Sequence, residues 1–572
     1  MARSDKKKMS QKAFTITWTA VIACFLVLCL VATIGMNSFS VVMDFVFGGG
    51  KITVKAVSGS ENWDSDYYTA DYTSKDAVEE AARALTEEIE SEGIVLMKNE
   101  NQALPLNQSN SKEQTISVFG WSFNYPVYGG SGSGDVDTAT CVSPAQGLTN
   151  AGFALNESLA ATYQKWSEST SRVSSSGGDA NCSERPKISF SFSDWSLVEM
   201  PVSNDLAKAA AQVSDVALLF VSRVGGEQMD LPLTMGSNTL ASSECMGFNE
   251  NKHYLQLSDE EEAVLEAIKE AGFQKVIVVL NSSNAMQVDA LEQDDGVDAI
   301  LWIGGPGQTG FNALGKILSG EVTPSGRTAD IYPADFTKDP TYANFSDPYF
   351  YSTDATLRNE YSNVSLSNTG YTNAYFTQYE EGVYLGYRYY ETAADIGALD
   401  YTSSVTYPFG YGLSYTTFSQ KLTVHSVENG IVTAEVQVTN TGSVAGKDVV
   451  QLYYRAPYGN ETTNPIKMEK CTAVLAGFAK TSLLEPGASE TITITFSVED
   501  MVSYDDTVNC CYVLDDGDYI ISLRSNSHDV IDQFTWHNDS TVIYNDEHDG
   551  ARSTDAVAAT NAFGDYLVEG EM

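Results

Sequence analysis

Val216 to Val221 form an apolar run with no polar break, set between Ser214-Asp215 and Ser222-Arg223-Val224-Gly225-Gly226. A strand that is apolar on both faces must be covered on both, which is the situation of a central strand in a parallel sheet and not of a half-exposed antiparallel one. Open parallel sheets bind ligands beyond the carboxyl ends of their strands. The residues that follow, Glu227-Gln228-Met229-Asp230, therefore stand where a ligand would be met, on a loop whose glycines allow a close approach. Taken alone, a carboxylate in a glycine-rich loop is more often solvated than catalytic.

The neighbouring segments extend the same pattern. Thr115 to Phe119, Lys275 to Leu280 and Asp298 to Ile303 read as further buried strands, and Lys75 to Glu92 reads as a helix. Between the Glu227 loop and the strand at Lys275 lies a second helix. Ser258 and Glu261 make a capping-box pair there, Val264, Leu265, Ile268 and Ala271 share one face, and Gly272 can end it. Strand and helix alternate, so the expected fold class is α/β, a doubly wound α/β sandwich. Downstream the period changes to two. Val432, Ala434, Val436 and Val438 alternate with polar residues, as do Ile492, Ile494, Phe496 and Val498. Turn signals at Asn440-Thr441-Gly442 and Glu485-Pro486-Gly487 complete the pattern of an antiparallel β-sandwich.

Charge narrows the partners. The net charge is −43, from 33 Lys and Arg against 76 Asp and Glu. Nucleic-acid binding rests on neutralising phosphates with cations, so no nucleic acid is expected. A neutral carbohydrate is not repelled by such a surface, and 31 tyrosines suit stacking on sugar rings. The N-terminus is basic instead: Arg3, Lys6, Lys7, Lys8 and Lys12 precede an apolar run, Phe14 to Met36, long enough to span a bilayer. This predicts a cytoplasmic tail over 1–13, a transmembrane helix over 14–36 as membrane anchor, a polar stalk over 37–74, and the bulk of the chain at the cell surface. No clear small-x-small cleavage site follows the run, so an uncleaved single-pass anchor is expected in place of a signal peptide. Cysteines show no CxxC spacing, and the five histidines no HExxH, so neither metal nor cofactor is expected.

Several motifs in order carry a resemblance. Glu92 to Asn99 (EGIVLMKN) with Ala103-Leu104-Pro105-Leu106, Gly129 to Asp135 (GGSGSGD), the Glu227 loop, Trp302 to Gly310 (WIGGPGQTG), Pro324-Ser325-Gly326-Arg327, Glu381 to Tyr390 (EGVYLGYRYY) and Tyr407 to Phe418 (YPFGYGLSYTTF) resemble glycoside hydrolase family 3, the β-glucosidase and β-xylosidase family. Gly446 to Tyr454 (GKDVVQLYY) and Leu475 to Lys480 (LAGFAK) are similar to that family's fibronectin type III-like domain. The resemblance implies an α/β sandwich over 75–417, a fibronectin type III-like domain over 418–528, and a linker over 529–572. It maps the general acid/base onto Glu227, with Gln228 where the family often has Gly. It makes Asp230, Arg223, Gly130, Ser131, Gly132 and Asp135 candidates for binding the sugar. Retaining hydrolysis needs a second carboxylate about 5 Å from the acid. In the family that nucleophile sits on a (β/α)₈ barrel of about 200 residues or more, and no segment here supplies one. The expectation is a truncated or incomplete sequence whose partner is a separate barrel domain or chain. Ser193-Asp194-Trp195 spells the tripeptide often found around the nucleophile, but it lies in a polar stretch without barrel repeats and reads as coincidence.

Two other classes stay open. Gly305-Pro306-Gly307-Gln308-Thr309-Gly310 matches GxGxxG after a strand, with Asp330 about twenty residues on, as in a dinucleotide site. The bland reading of that loop is tight-turn geometry, and GGSGSGD at Gly129 lacks the lysine of a P-loop. The other class is a non-catalytic, membrane-anchored surface module associated with carbohydrate.

Overall fold

The computed structural model describes residues 12, 16–22, 25–26, 71–130, 134, 136–168, 197, 199–223, 225, 231, 234–235, 249–342, 381–458, 468–548 and 550–558. The chain divides into two compact units, Met1–Ser74 and Lys75–Met572. In the first, residues 12, 16–22 and 25–26 are helical. Among the described residues no helix is long and apolar enough to cross a membrane, and most of the run 14–36 lies outside them.

The second unit opens with α1 (Lys75–Gly93) and builds a six-stranded sheet. Its strands are β1 (Val95–Asn99), β2 (Thr115–Phe119), β3 (Ala154–Leu155), β4 (Val216–Arg223), β5 (Lys275–Ser282) and β6 (Ala299–Trp302), in the order β1-β6-β5-β4-β2-β3. Every pairing is parallel except that of β1 with β6 at one edge. β4 is buried at every position, as its unbroken apolar run requires. Its side chains alternate between two cores: Val216, Leu218 and Phe220 face one, Ala217, Leu219 and Val221 the other. The first core is closed by α2 (Pro144–Asn150) and α6 (Phe311–Ser319). The second is closed by α3 (Glu157–Glu168), α4 (Asn204–Val213) and α5 (Asp259–Ala271). This is the doubly wound arrangement that the alternation of elements predicts.

α5 starts and stops where its sequence says. Ser258 Oγ accepts from Glu261 N while the Glu261 carboxylate accepts from Ser258 N, and Gly272 ends the helix with φ +85°. Val264, Leu265 and Ile268 are buried on its inner face, and Ala271 is half-exposed.

A short pair, β7 (Tyr332–Pro333) with β8 (Val405–Tyr407), flanks α7 (Tyr387–Asp395) in sequence. The remaining strands form the β-sandwich: β9 (Phe418–Glu428), β10 (Ile431–Asn440), β11 (Val449–Arg455), β12 (Val474–Lys480), β13 (Ser489–Ser497), β14 (Ser503–Asp505), β15 (Cys511–Leu514), β16 (Gly517–Arg524), β17 (Val530–Asn538) and β18 (Val542–Tyr544). The sheets run β13-β10-β9, β12-β11-β16-β17 and β14-β15-β18. The alternating residues of β10 and β13 point into one core, as period two requires. One boundary is corrected. The linker expected from 529 instead begins with β17 and β18, paired to β16 and β15, so the sandwich continues to Tyr544.

Candidate active site

The carboxyl ends of β4, β5 and β6 are held together by buried polar side chains. Asn281, 0% exposed near the end of β5, accepts through Oδ1 from Val127 N at 2.8 Å and Ser222 Oγ at 2.9 Å. Its Nδ2 donates to Val127 O at 2.8 Å and to Gly304 O at 2.7 Å. One amide thus ties β4, the turn after β6 and the chain approaching Gly129 to a single point. The two glycine-rich loops also pack on one another. Gly307 N donates to Tyr128 O at 2.7 Å, and a Cβ at Gly305 would stand 3.2 Å from Gly129 Cα.

Arg223, the last residue of β4, is 0% exposed. Its five N–H groups are all engaged: Nε with Tyr254 O, Nη1 with Ser222 O and Glu261 Oε1, Nη2 with Gln256 O and Glu261 Oε2. Glu261 therefore caps α5 and neutralises the end of the central strand with the same carboxylate. The placement of Arg223 among sugar-binding residues is revised, because no donor is left for a ligand. It anchors the 253–258 loop to the strand from which the Glu227 loop departs.

That loop leaves at Gly225 and returns at Leu231. Glu227 and Asp230 lie outside the described residues, as do Ser131, Gly132, Asp135 and Ser193-Asp194-Trp195. Gly130 is described and half-buried. A Cβ at Gly225 would come 2.6 Å from Asn284 Oδ1, which is buried and accepts no hydrogen bond from the described residues. Asn284 and Leu231 both line a cavity of about 400 Å³ whose wall includes His253, Asp330, Phe336 and Tyr342.

The chemistry of that wall is specific. Leu255 N donates to His253 Nδ1 at 3.2 Å, so the proton sits on Nε2, which donates to Gln287 Oε1 at 2.8 Å. Burial lowers the imidazole's pKa and keeps it neutral. The Phe336 ring lies 5.3 Å from it and the Tyr342 ring 6.3 Å, edge-on. Burial, then the Asp339 carboxylate, push the Asp330 pKa up. An aromatic wall with a neutral imidazole and two carboxyl groups, Asp330 and Asp339, offers a polyhydroxylated ring both a stacking face and hydrogen-bonding partners. Among the described residues no three His, Cys, Asp or Glu side chains converge to hold a metal.

Behind β2 stands Glu199, 3% exposed, accepting from Trp121 N and Met200 N at 2.8 Å each and from Tyr163 Oη at 3.4 Å. Burial pushes its pKa up to about 8.

The dinucleotide reading finds no room. α1 covers the Gly305–Gly310 loop: Thr309 Oγ1 donates to Arg83 O at 2.6 Å and Asn312 Nδ2 to Glu87 Oε2 at 2.8 Å. Cβ atoms at Gly307 and Gly310 would stand 3.0 Å from Thr86 and 2.8 Å from Glu90. The Gly307 and Gly310 N–H groups, which a pyrophosphate would need, already donate to Tyr128 O and Pro306 O. Asp330, the acidic residue of that reading, lines the cavity beside His253 instead.

The glycosyl hydrolase family 3 C-terminal domain matches residues 94–387, just over half of the chain, and a fibronectin type III-like domain matches 448–527. The chain belongs to glycoside hydrolase family 3. A family relative, the β-glucosidase of Ruminococcus albus, is 30% identical over 464 residues, covering 80% of this chain and 40% of the relative. The structure of a β-glucosidase from Paenibacillus barengoltzii matches with a TM-score of 0.63 at 29% identity, covering 81% of this chain and 44% of that one. β-Glucosidase 3B from Thermotoga neapolitana, solved in complex with α-D-glucose, gives 0.63 at 27% identity, covering 82% and 55%. The chain thus spans about half the length of the family members it matches.

Of the cavity's wall, sequence reasoning singled out Asp330 alone, and for the dinucleotide role. His253, Phe336 and Tyr342 come from irregular segments whose pattern carries no periodic signal. Asn281 and Asn284 were within reach, since Asn281-Ser282-Ser283-Asn284 follows an apolar strand at the same sheet end as Ser222-Arg223.

Proposed function

We propose that this chain supplies the acid/base half of a retaining glycoside hydrolase acting on terminal β-linked sugars. Glu227 protonates the leaving oxygen and then takes the proton of the attacking water, while a carboxylate from a barrel domain or chain attacks the anomeric carbon. The observation that carries this reading is the origin of the Glu227 loop. It leaves the carboxyl end of a fully buried central strand, and its flanking residues meet the cavity walled by His253, Phe336 and Tyr342. The β-glucosidase relatives make a β-glucoside the first substrate to try. The basic N-terminus ahead of an apolar run supports an outward-facing protein with a cytoplasmic N-terminus, held to the membrane by residues 14–36. Asp230 and the Gly130 to Asp135 loop complete the sugar-binding rim.

The test is hydrolysis of 4-nitrophenyl β-D-glucopyranoside and of cellobiose by the protein purified from its source. Glu227→Gln should lower kcat/KM on cellobiose by about 10²–10⁴-fold, the usual worth of a positioned general acid. It should lower kcat/KM on the aryl glucoside less, because nitrophenolate leaves without a proton in the first step. Equal losses on both substrates, or none, would remove Glu227 from the acid's role.

A further inference from the structure

A second cavity, of about 500 Å³, shares a wall with the candidate active site. Leu385 and Gly386 line the first cavity, whereas Tyr384 and Tyr389 line the second. Its other side is the β-sandwich, from the end of β11 through Tyr458 and again at 469–472.

Four charged side chains stand in this wall, two of each sign. Arg455 and Asp395 form a two-pronged pair at 3.1 and 3.0 Å, each about 40% exposed, so their outer edges face the opening. The guanidinium makes no other hydrogen bond to the described residues. Glu469 accepts from Tyr384 Oη, and Lys470 is tied to Asp515 and to Pro457 O. Between these polar groups the surface is apolar, and Tyr458, 53% exposed, stands at the lip.

We propose that this seam is a non-catalytic binding site for a neutral oligosaccharide, one wall away from the catalytic cavity. Arg455 is matched by Asp395, and Lys470 by Asp515 behind the wall, so no cation is left over for an anion, while a neutral hydroxyl-rich ligand is not opposed. A sugar hydroxyl is donor and acceptor at once, so a carboxylate fixed beside a guanidinium matches two neighbouring hydroxyls. The carbon-bound hydrogens of the ring need an apolar or aromatic face, which the tyrosines supply. Volume and position at a domain seam are those of ordinary ligand pockets, about 300–1,000 Å³. Only the choice of sugar over other neutral amphipaths rests on the glycosidase reading.

Calorimetric titration of the 572-residue chain with cellotetraose, laminaritetraose and xylotetraose tests it. At least one should bind saturably, with Kd of roughly 0.1–10 mM. Tyr458→Ala should weaken that binding about tenfold and Tyr458→Phe should restore it, since the ring face and not the hydroxyl is used. Glu227→Gln, which should slow cellobiose hydrolysis by the active enzyme, should leave the titration unchanged, so failure of the catalytic reading and failure of this one are told apart. Absence of saturable binding by all three sugars overturns the proposal, and so does binding indifferent to Tyr458 but lost in Phe336→Ala.

Discussion

Glu199, behind the carboxyl end of the sheet, and Glu92, where α1 meets the β-sandwich, are the same side chain in opposite electrostatic settings. Glu199 is 3% exposed and, among the described residues, is met by N–H and O–H donors and no cation, and burial pushes its pKa up to about 8. Glu92 is a third exposed. Burial alone would raise its pKa too, but hydrogen bonds and charge from Lys447 and Lys480 prevail and hold it below the usual range. The sheet end is dry and tolerates charge only when fully paired, as in Arg223 with Glu261. At Glu92 the seam is open to solvent and uses charge more freely, with Lys447 and Lys480 both paired to a carboxylate that is a third exposed.

The most forceful way to break this contrast is Arg223→Met. It strands the Glu261 carboxylate and three carbonyls in a dry site, and should destabilise the chain by about 3–5 kcal/mol in urea unfolding. Adding Glu261→Gln, which can still cap α5, should recover much of that loss. A cost below about 1 kcal/mol for the single change would mean that the sheet end is wetter than its geometry says.

The next effect is one of slope. Glu199 has a folded pKa above its unfolded one, so the folded state holds a proton that the unfolded state releases. Stability is then full below about pH 4.5 and declines toward pH 8, by at most about 1.4 kcal/mol per pH unit. Glu199→Gln loses one acceptor for the Trp121 or Met200 N–H at every pH, but it should flatten that decline. Melting temperatures at pH 5 and pH 8 separate the two effects. An unchanged slope would assign the decline to other groups.

How far the sequence reaches follows the same division. β4, the α5 caps and the alternation of β10 and β13 were legible because one local rule governs each: an unbroken apolar run, a Ser-x-x-Glu pair, period two. β17 was passed over as linker. Phe534 is its one buried residue, Val530 and Ile531 are exposed, and its pairing with β16 is a tertiary fact, so Val530 to Asn538 carries no strong period of its own. Arg223 misled for a similar reason. A cation beside a catalytic loop reads as a ligand contact, and the carboxylate that consumes it lies on a helix 38 residues away. The GxGxxG loop could be judged only once α1 was seen to cover it.

The smallest expected effect sharpens the seam's side of the comparison. Glu92 keeps a lowered pKa, so its contribution is present above the unfolded carboxylate pKa and disappears as pH falls through the folded one, in the acid range. Because its side chain is a third exposed, solvent screening limits that contribution to about 0.5–1 kcal/mol. Glu92→Gln should therefore lower stability slightly at pH 7 and not at all once the wild-type carboxylate is protonated. Raising salt to about 1 M should shrink the difference at pH 7, since the Debye length then falls to about 3 Å. The same salt should leave the Arg223→Met loss nearly untouched, because no ion reaches a pair sealed beneath the 253–258 loop. If salt weakened both losses alike, the distinction between a dry sheet end and a wet seam would fall.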